Sequence, residues 1–312
     1  MEIVVQLVLL VVGFAMLMKG ADWFVDGASK VADRLGIPQL VIGLTIVAMG
    51  TSLPEAAVSI SAAVQGSAEI TIGNVVGSNI MNVLVILGLT SVICAIAVQK
   101  STVCYEIPFT ILITVLLAVL GLSDHQISRL EGVVFWAFMI LYLLYLLYMA
   151  KKGNAPDKEE ETHKQESVLK LLFLIVFGAF VVVWGSDIAV DAATGLARSF
   201  GMSERFIGLT IVALGTSLPE LVTSVTAAIK GKPDIAVGNI VGSNIFNILF
   251  VVGTTALITP VVYSGDFLVD SIVAVAAMVL LFFCVLPKKK LGRMGGVLLL
   301  TGYATYFVYL IR

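Results

Sequence analysis

Charge is scarce in this sequence. Of 312 residues only 13% are Asp, Glu, Lys or Arg, while 59% are hydrophobic; a soluble domain carries about 25% charged residues. The two signs nearly cancel, 19 Lys and Arg against 21 Asp and Glu, for a net charge of −2. That balance excludes a simple nucleic-acid binder. Cysteine is also scarce: Cys94, Cys104 and Cys284 stand isolated without a CxxC pair, so neither a disulfide framework nor a thiolate zinc site is expected. They read as small apolar packing residues. Histidine is limited to His125 and His163, both in polar loops, and HExxH is missing. No intramembrane hydrolase, and no enzyme, is expected from such a set. A basic segment is also lacking after Met1-Glu2, so the first apolar run is expected to be a retained helix rather than a cleaved signal. What is abundant is apolar surface, with a mean hydropathy of +1.05. In water such a chain would expose apolar patches far above the tolerated size. The bilayer is its expected solvent.

A membrane helix needs about 20 mainly apolar residues, and runs of that size recur. The approximate spans are Ile3–Val25, Gln39–Val64, Ile70–Val98, Tyr105–Leu122 and Gly132–Met149, then Val168–Asp187, Arg205–Ile229, Ile235–Ile258, Phe267–Leu286 and Leu291–Ile311. The fold class expected is therefore all-α: a polytopic membrane protein of ten helices. Residues 151–167, KKGNAPDKEEETHKQES, are the one extended polar stretch. They read as a linker between a first unit, 1–150, and a second, 168–312. Fourteen Lys and Arg, among them Lys30, Lys100, Lys151, Lys230 and Lys288, follow odd-numbered runs; Arg129, Arg198, Arg205 and Arg312 lie on the other side. By the positive-inside rule the linker is cytoplasmic and both termini are outside, in a cell membrane.

An internal repeat is the strongest signal. Residues 41–93 and 206–258 align at a constant offset of 165 with 30 identities in 53 positions. Both contain GTSLPE, followed by GNVVGSNIMN in the first copy and GNIVGSNIFN in the second. Upstream, Asp22 pairs with Asp187 and Asp26 with Asp191. Five helices per unit is an odd number, so the two copies are expected to cross the membrane in opposite directions, with broken helices at the midplane. Inverted repeats of this kind are common in secondary transporters.

Each copy holds one carboxylate deep in an apolar run, Glu55 and Glu220. An ionisable side chain there costs a few kcal/mol or more and suggests function. A pseudo-two-fold axis would bring the two together, and close carboxylates repel unless they share a proton or cation. Hard oxygen ligands without His or Cys point to Ca²⁺, Na⁺ or a similar ion. Pro54 and Pro219 free carbonyls in the preceding turn, with Gly50 and Gly215 allowing it to unwind, so Ala48 and Ala213 are candidate backbone donors. Thr51 and Thr216 lie four residues before the glutamates, on one helix face. Ser52 and Ser217 add hydroxyls at the break. In the following helix Ser78 and Asn82 are four apart, as are Ser243 and Asn247. Asn74, Asn79, Asn239 and Asn244 are either ligands or partners of backbone groups. Gly73, Gly77, Gly238 and Gly242 have the spacing of close helix contacts. Asp22, Asp26, Asp187 and Asp191 read as interfacial residues near helix ends rather than ligands.

Doubled GTSLPE and GNxxGSN motifs resemble the α-repeats of the sodium/calcium exchanger branch of the cation/calcium exchanger superfamily, and the likeness covers nearly the whole chain. The resemblance implies a secondary active antiporter that exchanges Na⁺ for Ca²⁺ by alternating access. Glu55 and Glu220 would be shared ligands, with Thr51, Thr216, Ser52, Ser217, Ser78 and Ser243 around them and Asn82 and Asn247 completing the ring. It implies the two ions and the lipid bilayer as partners, with no cofactor, nucleic acid or protein partner. A third Na⁺ on neutral oxygens would make transport electrogenic. Many relatives carry Asp at the position of Asn247, as potassium-dependent exchangers do; Asn here argues against potassium dependence. The short linker lacks the regulatory domains of animal exchangers, so the likeness is to compact prokaryotic members. The alternative is a proton-coupled calcium exchanger of the same fold, a branch that usually carries GNAxE in place of GTSLPE.

Overall fold

Long apolar runs become helices in lipid because every backbone polar group must be satisfied within the segment. The computed structural model describes residues 2–68, 70–152, 167–201 and 213–310. Arg205, Arg312, His163 and most of the polar stretch 151–167 lie outside the described residues. Among the described residues, seven helical spans are long and apolar enough to cross a bilayer. They are Ile3–Leu35, Ile70–Ile93, Thr102–Asp124, Arg129–Lys152, Val168–Ser199, Pro233–Ile258 and Phe267–Val285. The pair Gln39–Thr51 and Leu53–Val64, bent by 49°, makes an eighth if taken as one span. The protein is all-α, and what its outer helices expose is apolar: Val11, Leu169 and Val176 are each at least 69% exposed.

In chain order the helices are α1 (Glu2–Leu35), α2 (Gln39–Ile42), α3 (Ala48–Thr51), α4 (Leu53–Val64), α5 (Ile70–Met81), α6 (Gly88–Ile93), α7 (Ile107–Asp124) and α8 (Arg129–Lys152). They continue as α9 (Val168–Ser199), α10 (Ala213–Thr216), α11 (Leu218–Ile229), α12 (Pro233–Phe246), α13 (Gly253–Ile258), α14 (Phe267–Val285) and α15 (Arg293–Leu310). Among the described residues, four π-helical turns are inserted between them: Gly43–Val47, Asn82–Leu87, Thr102–Glu106 and Asn247–Val252. The second and fourth are separated by the repeat offset of 165. Periodicity of apolar residues does not reveal such turns, which concentrate at functional sites.

Three boundaries differ most from the sequence reading. α1 runs to Leu35 and α9 to Ser199, about ten residues beyond the apolar runs, because small residues keep a packing stripe where polar residues begin. Ala28, Val31 and Ala32 are buried in one cluster with Leu171 and Ile175. The two helices lie antiparallel in near backbone contact. A Cβ on Gly13 would meet Ala189 N at 2.7 Å, one on Gly20 would meet Val182 N at 2.8 Å, and one on Gly27 would meet Ile175 Cγ1 at 3.0 Å. Small residues permit this approach where no hydrophobic force drives helices together. The helix expected to reach Val98 stops at Ile93, where Cys94 turns extended. Ile96–Ala97 (β1) then pairs with Lys290–Leu291 (β4), and Gln126–Ile127 (β2) with Val261–Val262 (β3), both antiparallel. Each bridge ties the first part of the chain to the second.

The core is formed by the motif helices. In the most apolar 18-residue stretch of each span, 94% of Pro233–Ile258 and 72% of Ile70–Ile93 is buried, against 17% of Ile3–Leu35. α12 lies along α2, the first π turn and α3, so closely that a Cβ on Gly242 would meet Leu44 O and Ala48 Cβ at 2.8 Å. Only glycine fits there.

Candidate cation site

Both glutamates occupy the first turn of a helix that starts again after a break. α3 ends at Ser52, with φ −86° and ψ 10°; α4 opens on Leu53 and Pro54, and Glu55 follows. The second copy repeats this at Ser217, with φ −91° and ψ 3°, then Leu218, Pro219 and Glu220. Proline is tolerated at a first helical turn because its missing N–H would have no partner there. A carboxylate in that turn faces the positive end of the helix dipole. Gly50 lets Phe24 of α1 lie over the first break, where a Cβ would stand 2.8 Å from the ring. Gly215 does the same for Val190 of α9, and Ser186 Oγ donates to its carbonyl at 2.9 Å.

Glu55 and Glu220 are both 0% exposed, and hydrogen bonds cross between the copies. Ser52 Oγ, from the first GTSLPE, donates to Glu220 Oε1 at 2.9 Å. Ser78 Oγ donates to Glu55 Oε1 at 3.1 Å and lies 3.3 Å from Ser217 Oγ. Ser243 Oγ donates to Ala48 O at 3.4 Å, a carbonyl that also accepts Ser52 N–H at 3.0 Å. Thr51 Oγ1 donates to Asn239 Oδ1 at 2.9 Å. Thr216 is half-buried in α10. Ala213 starts that helix, and its side chain lies outside the described residues.

Four asparagines hold backbone carbonyls. Asn74 Nδ2 donates to Glu55 O and to Ser59 Oγ, at 3.1 and 2.9 Å; Asn239 Nδ2 donates to Glu220 O and to Ser224 Oγ, at 3.4 and 2.9 Å. Asn79 and Asn244 donate to each other's carbonyls. Asn82 and Asn247 open the two equivalent π turns. Asn82 Nδ2 donates to Asn244 Oδ1 at 3.0 Å and Asn247 Nδ2 to Asn79 Oδ1 at 3.1 Å, which commits their amide nitrogens and leaves the oxygens over. Ser59 and Ser224 were not singled out from sequence, although the repeat keeps both four residues after the glutamates.

Within this cluster four buried oxygens have no hydrogen-bond partner: Glu55 Oε2, Glu220 Oε2, Asn82 Oδ1 and Asn247 Oδ1. They come two from each copy, a carboxylate and an amide, at the repeat offset. Unpaired buried acceptors are costly, and four acceptors without a donor among them suit a hard cation that prefers oxygen. No group of three or more His, Cys, Asp or Glu able to hold a metal occurs among the described residues, so any ion here relies on two carboxylates and neutral oxygens. Asp22, Asp26, Asp187 and Asp191 lie inside the long helices α1 and α9 rather than near helix ends, because both helices run on past the apolar stretches; Asp22 and Asp26 are paired away from the site, with Lys230 Nζ 3.1 Å from Asp22 Oδ1 and 2.8 Å from Asp26 Oδ1.

Comparison with known proteins gives a consistent result. The profile described as "Sodium/calcium exchanger protein" matches residues 5–149 and 170–312. The chain is 36% identical to inner membrane protein YrbG of Escherichia coli over 314 residues, 97% of this chain and 95% of that protein. It is 32% identical to sodium/calcium exchanger MaX1 of Methanosarcina acetivorans, covering 99% of both. Among solved structures, the sodium-calcium exchanger NCX_Mj soaked with 10 mM Na⁺ and zero Ca²⁺ superposes with a TM-score of 0.84 at 33% identity, covering 98% of this chain and 99% of that one.

Proposed function

Because the chain belongs to the sodium/calcium exchanger family, we propose that it exchanges Na⁺ for Ca²⁺ across a membrane, with Glu55 and Glu220 shared by the two ions in turn. The observation that carries this is the set of four unpaired oxygens on Glu55, Glu220, Asn82 and Asn247. Two carboxylates balance one Ca²⁺ or two Na⁺, and ions crowded onto the same oxygens would repel one another. Occupancy is then mutually exclusive, which is what antiport requires. Thr51, Thr216, Ser52, Ser217, Ser78 and Ser243, with the carbonyls of Ala48 and Ala213, form the surrounding ligand set, and no cofactor takes part.

The architecture proposed is ten helices in two inverted five-helix repeats, 1–150 and 168–312, joined by the cytoplasmic linker 151–167, with both termini outside the cell membrane. Supporting it, α1 and α9, which correspond at the offset of 165, lie antiparallel. Alternating access would come from α1 and α9 sliding against the rest; Phe24 and Val190 place them over the two breaks.

Calcium uptake into proteoliposomes, driven by an imposed Na⁺ gradient with pH clamped on both sides, tests the proposal. Uptake that collapses with the Na⁺ gradient is expected. Uptake indifferent to Na⁺ but driven by a proton gradient would assign the function to proton-coupled exchange.

A further inference from the structure

Five basic residues from two distant stretches of the chain are gathered around the β1–β4 bridge. Ala97 pairs with Lys290 and Ile96 with Leu291, and Val98 N–H donates to Lys289 O at 2.9 Å. Lys100 follows two residues after Val98. Lys288, Lys289 and Lys290 are consecutive between α14 and α15, where Lys289 has a left-handed φ of 47°, and Arg293 opens α15. All five are exposed. Among the described residues none of their side chains has a hydrogen bond or an ion pair. Other basic residues differ: Lys230 is paired with two aspartates, Lys30, Arg34 and Lys170 each engage another group, and Lys152 lies 5.6 Å over the Tyr148 ring. Asp234 of α12 approaches the bridge, but Gln99 Nε2 already donates to its Oδ2 at 2.6 Å. Apolar side chains flank the patch on the same two helices, with Phe283, Leu286 and Met294 exposed. The five cations thus stand where lipid-facing helix ends give way to polar residues.

We propose that this patch is a docking surface for the headgroup of an anionic phospholipid, held by Lys100 together with the Lys288–Lys290 turn and Arg293. Like charges gathered without a counter-charge from the protein repel one another, and a phosphodiester of the surrounding leaflet supplies the missing anion. Clusters of Lys and Arg directly beside a transmembrane helix attract anionic lipid, each residue contributing roughly fivefold in affinity. The apolar flank decides between a lipid and a free phosphate. Phe283 and Leu286 are one helical turn apart on α14 and offer an acyl chain a surface next to the headgroup, from which a phosphate ion gains nothing. The surface lies on the link between the two halves of the chain, since β1 follows α6 and β4 precedes α15. It is independent of which ions the protein exchanges.

The test is lipid binding to the purified full-length protein in neutral detergent, read by native mass spectrometry with equimolar phosphatidylglycerol and phosphatidylcholine of the same acyl chains. A preference for phosphatidylglycerol of about tenfold or more is expected. Lys288→Gln, Lys289→Gln and Lys290→Gln combined should bring the two lipids close to parity. Lys100→Gln alone, on the other stretch of chain, should lower the preference roughly fivefold, and it serves if the triple variant does not fold. Lys151→Gln with Lys152→Gln, at the end of α8, should leave the preference unchanged. Inorganic phosphate should displace no more lipid than chloride at equal ionic strength. Equal retention of the two lipids, or a preference that neither the triple variant nor Lys100→Gln lowers, overturns the proposal. So does a preference lowered as much by the Lys151 and Lys152 substitutions, or specific displacement by phosphate.

Discussion

Asn79 and Asn244 hold each other's backbone. Asn79 Nδ2 donates to the Asn244 carbonyl at 3.2 Å, and Asn244 Nδ2 returns the bond to the Asn79 carbonyl at 3.3 Å. They are 165 residues apart, the repeat offset, so a residue is paired with its own counterpart across the centre of the molecule. Their side-chain oxygens then accept from Asn247 and Asn82, and this leaves the amide oxygens of those two without a partner.

Asn79→Ala would strip a partner from the Asn244 carbonyl and from Asn247 Nδ2, both fully shielded. A loss of about 1–3 kcal/mol is expected. Thermal unfolding in detergent, against the unmodified protein, measures it.

Glu55→Gln or Glu220→Gln is expected to reduce calcium exchange to background while the protein stays folded in the membrane. Each removes one of the two charges that balance Ca²⁺. Normal exchange in both single variants would reject the site assignment.

Ser52→Ala deletes the hydroxyl that steadies Glu220 from the opposite copy. Hydrogen bonds to charged groups are worth about 1.5–3 kcal/mol, so the half-saturating Ca²⁺ concentration should rise roughly tenfold or more. Titration of Na⁺-driven uptake reads the shift directly.

Gly242→Val forces a side chain into the 2.8 Å approach of Leu44 O and Ala48 Cβ. Overpacking of this kind costs about 1–3 kcal/mol. Exchange should fall as well, since the displaced segment carries the break before Glu55; a variant with lower stability but full exchange would separate the two effects.

Lys230 joins the end of α11 to Asp22 and Asp26 of α1. Burial works against its charge, but the hydrogen bonds it donates to Asp26 and Asp22 outweigh that and hold the ammonium above its usual pKa. A raised folded-state value means this contribution is complete below the unfolded pKa and fades only as pH climbs through the folded one. Lys230→Gln, which installs the residue found at the equivalent Gln65, should therefore cost the same at neutral and mildly acidic pH. Partial exposure of the pair limits that cost to about 1 kcal/mol or less. Melting curves at two pH values check both statements.

The sequence by itself determined the all-α membrane class, the repeat, and the position of both glutamates, because apolar run length and a doubled GTSLPE are local properties of the chain. The helix break was legible too, since Pro54 and Pro219 cannot continue the preceding backbone ladder. Tertiary structure alone decided how the oxygens divide. Asn74 and Asn82 are the same residue type on one helix, yet one satisfies the Glu55 carbonyl and the other keeps an unpaired oxygen. The π turns that open at Asn82 and Asn247 leave no mark in hydropathy, because they depend on backbone hydrogen bonding rather than on which residues are apolar. The carbonyl clasp of Asn79 and Asn244 depends on contact between segments 165 residues apart, which spacing along the chain cannot encode.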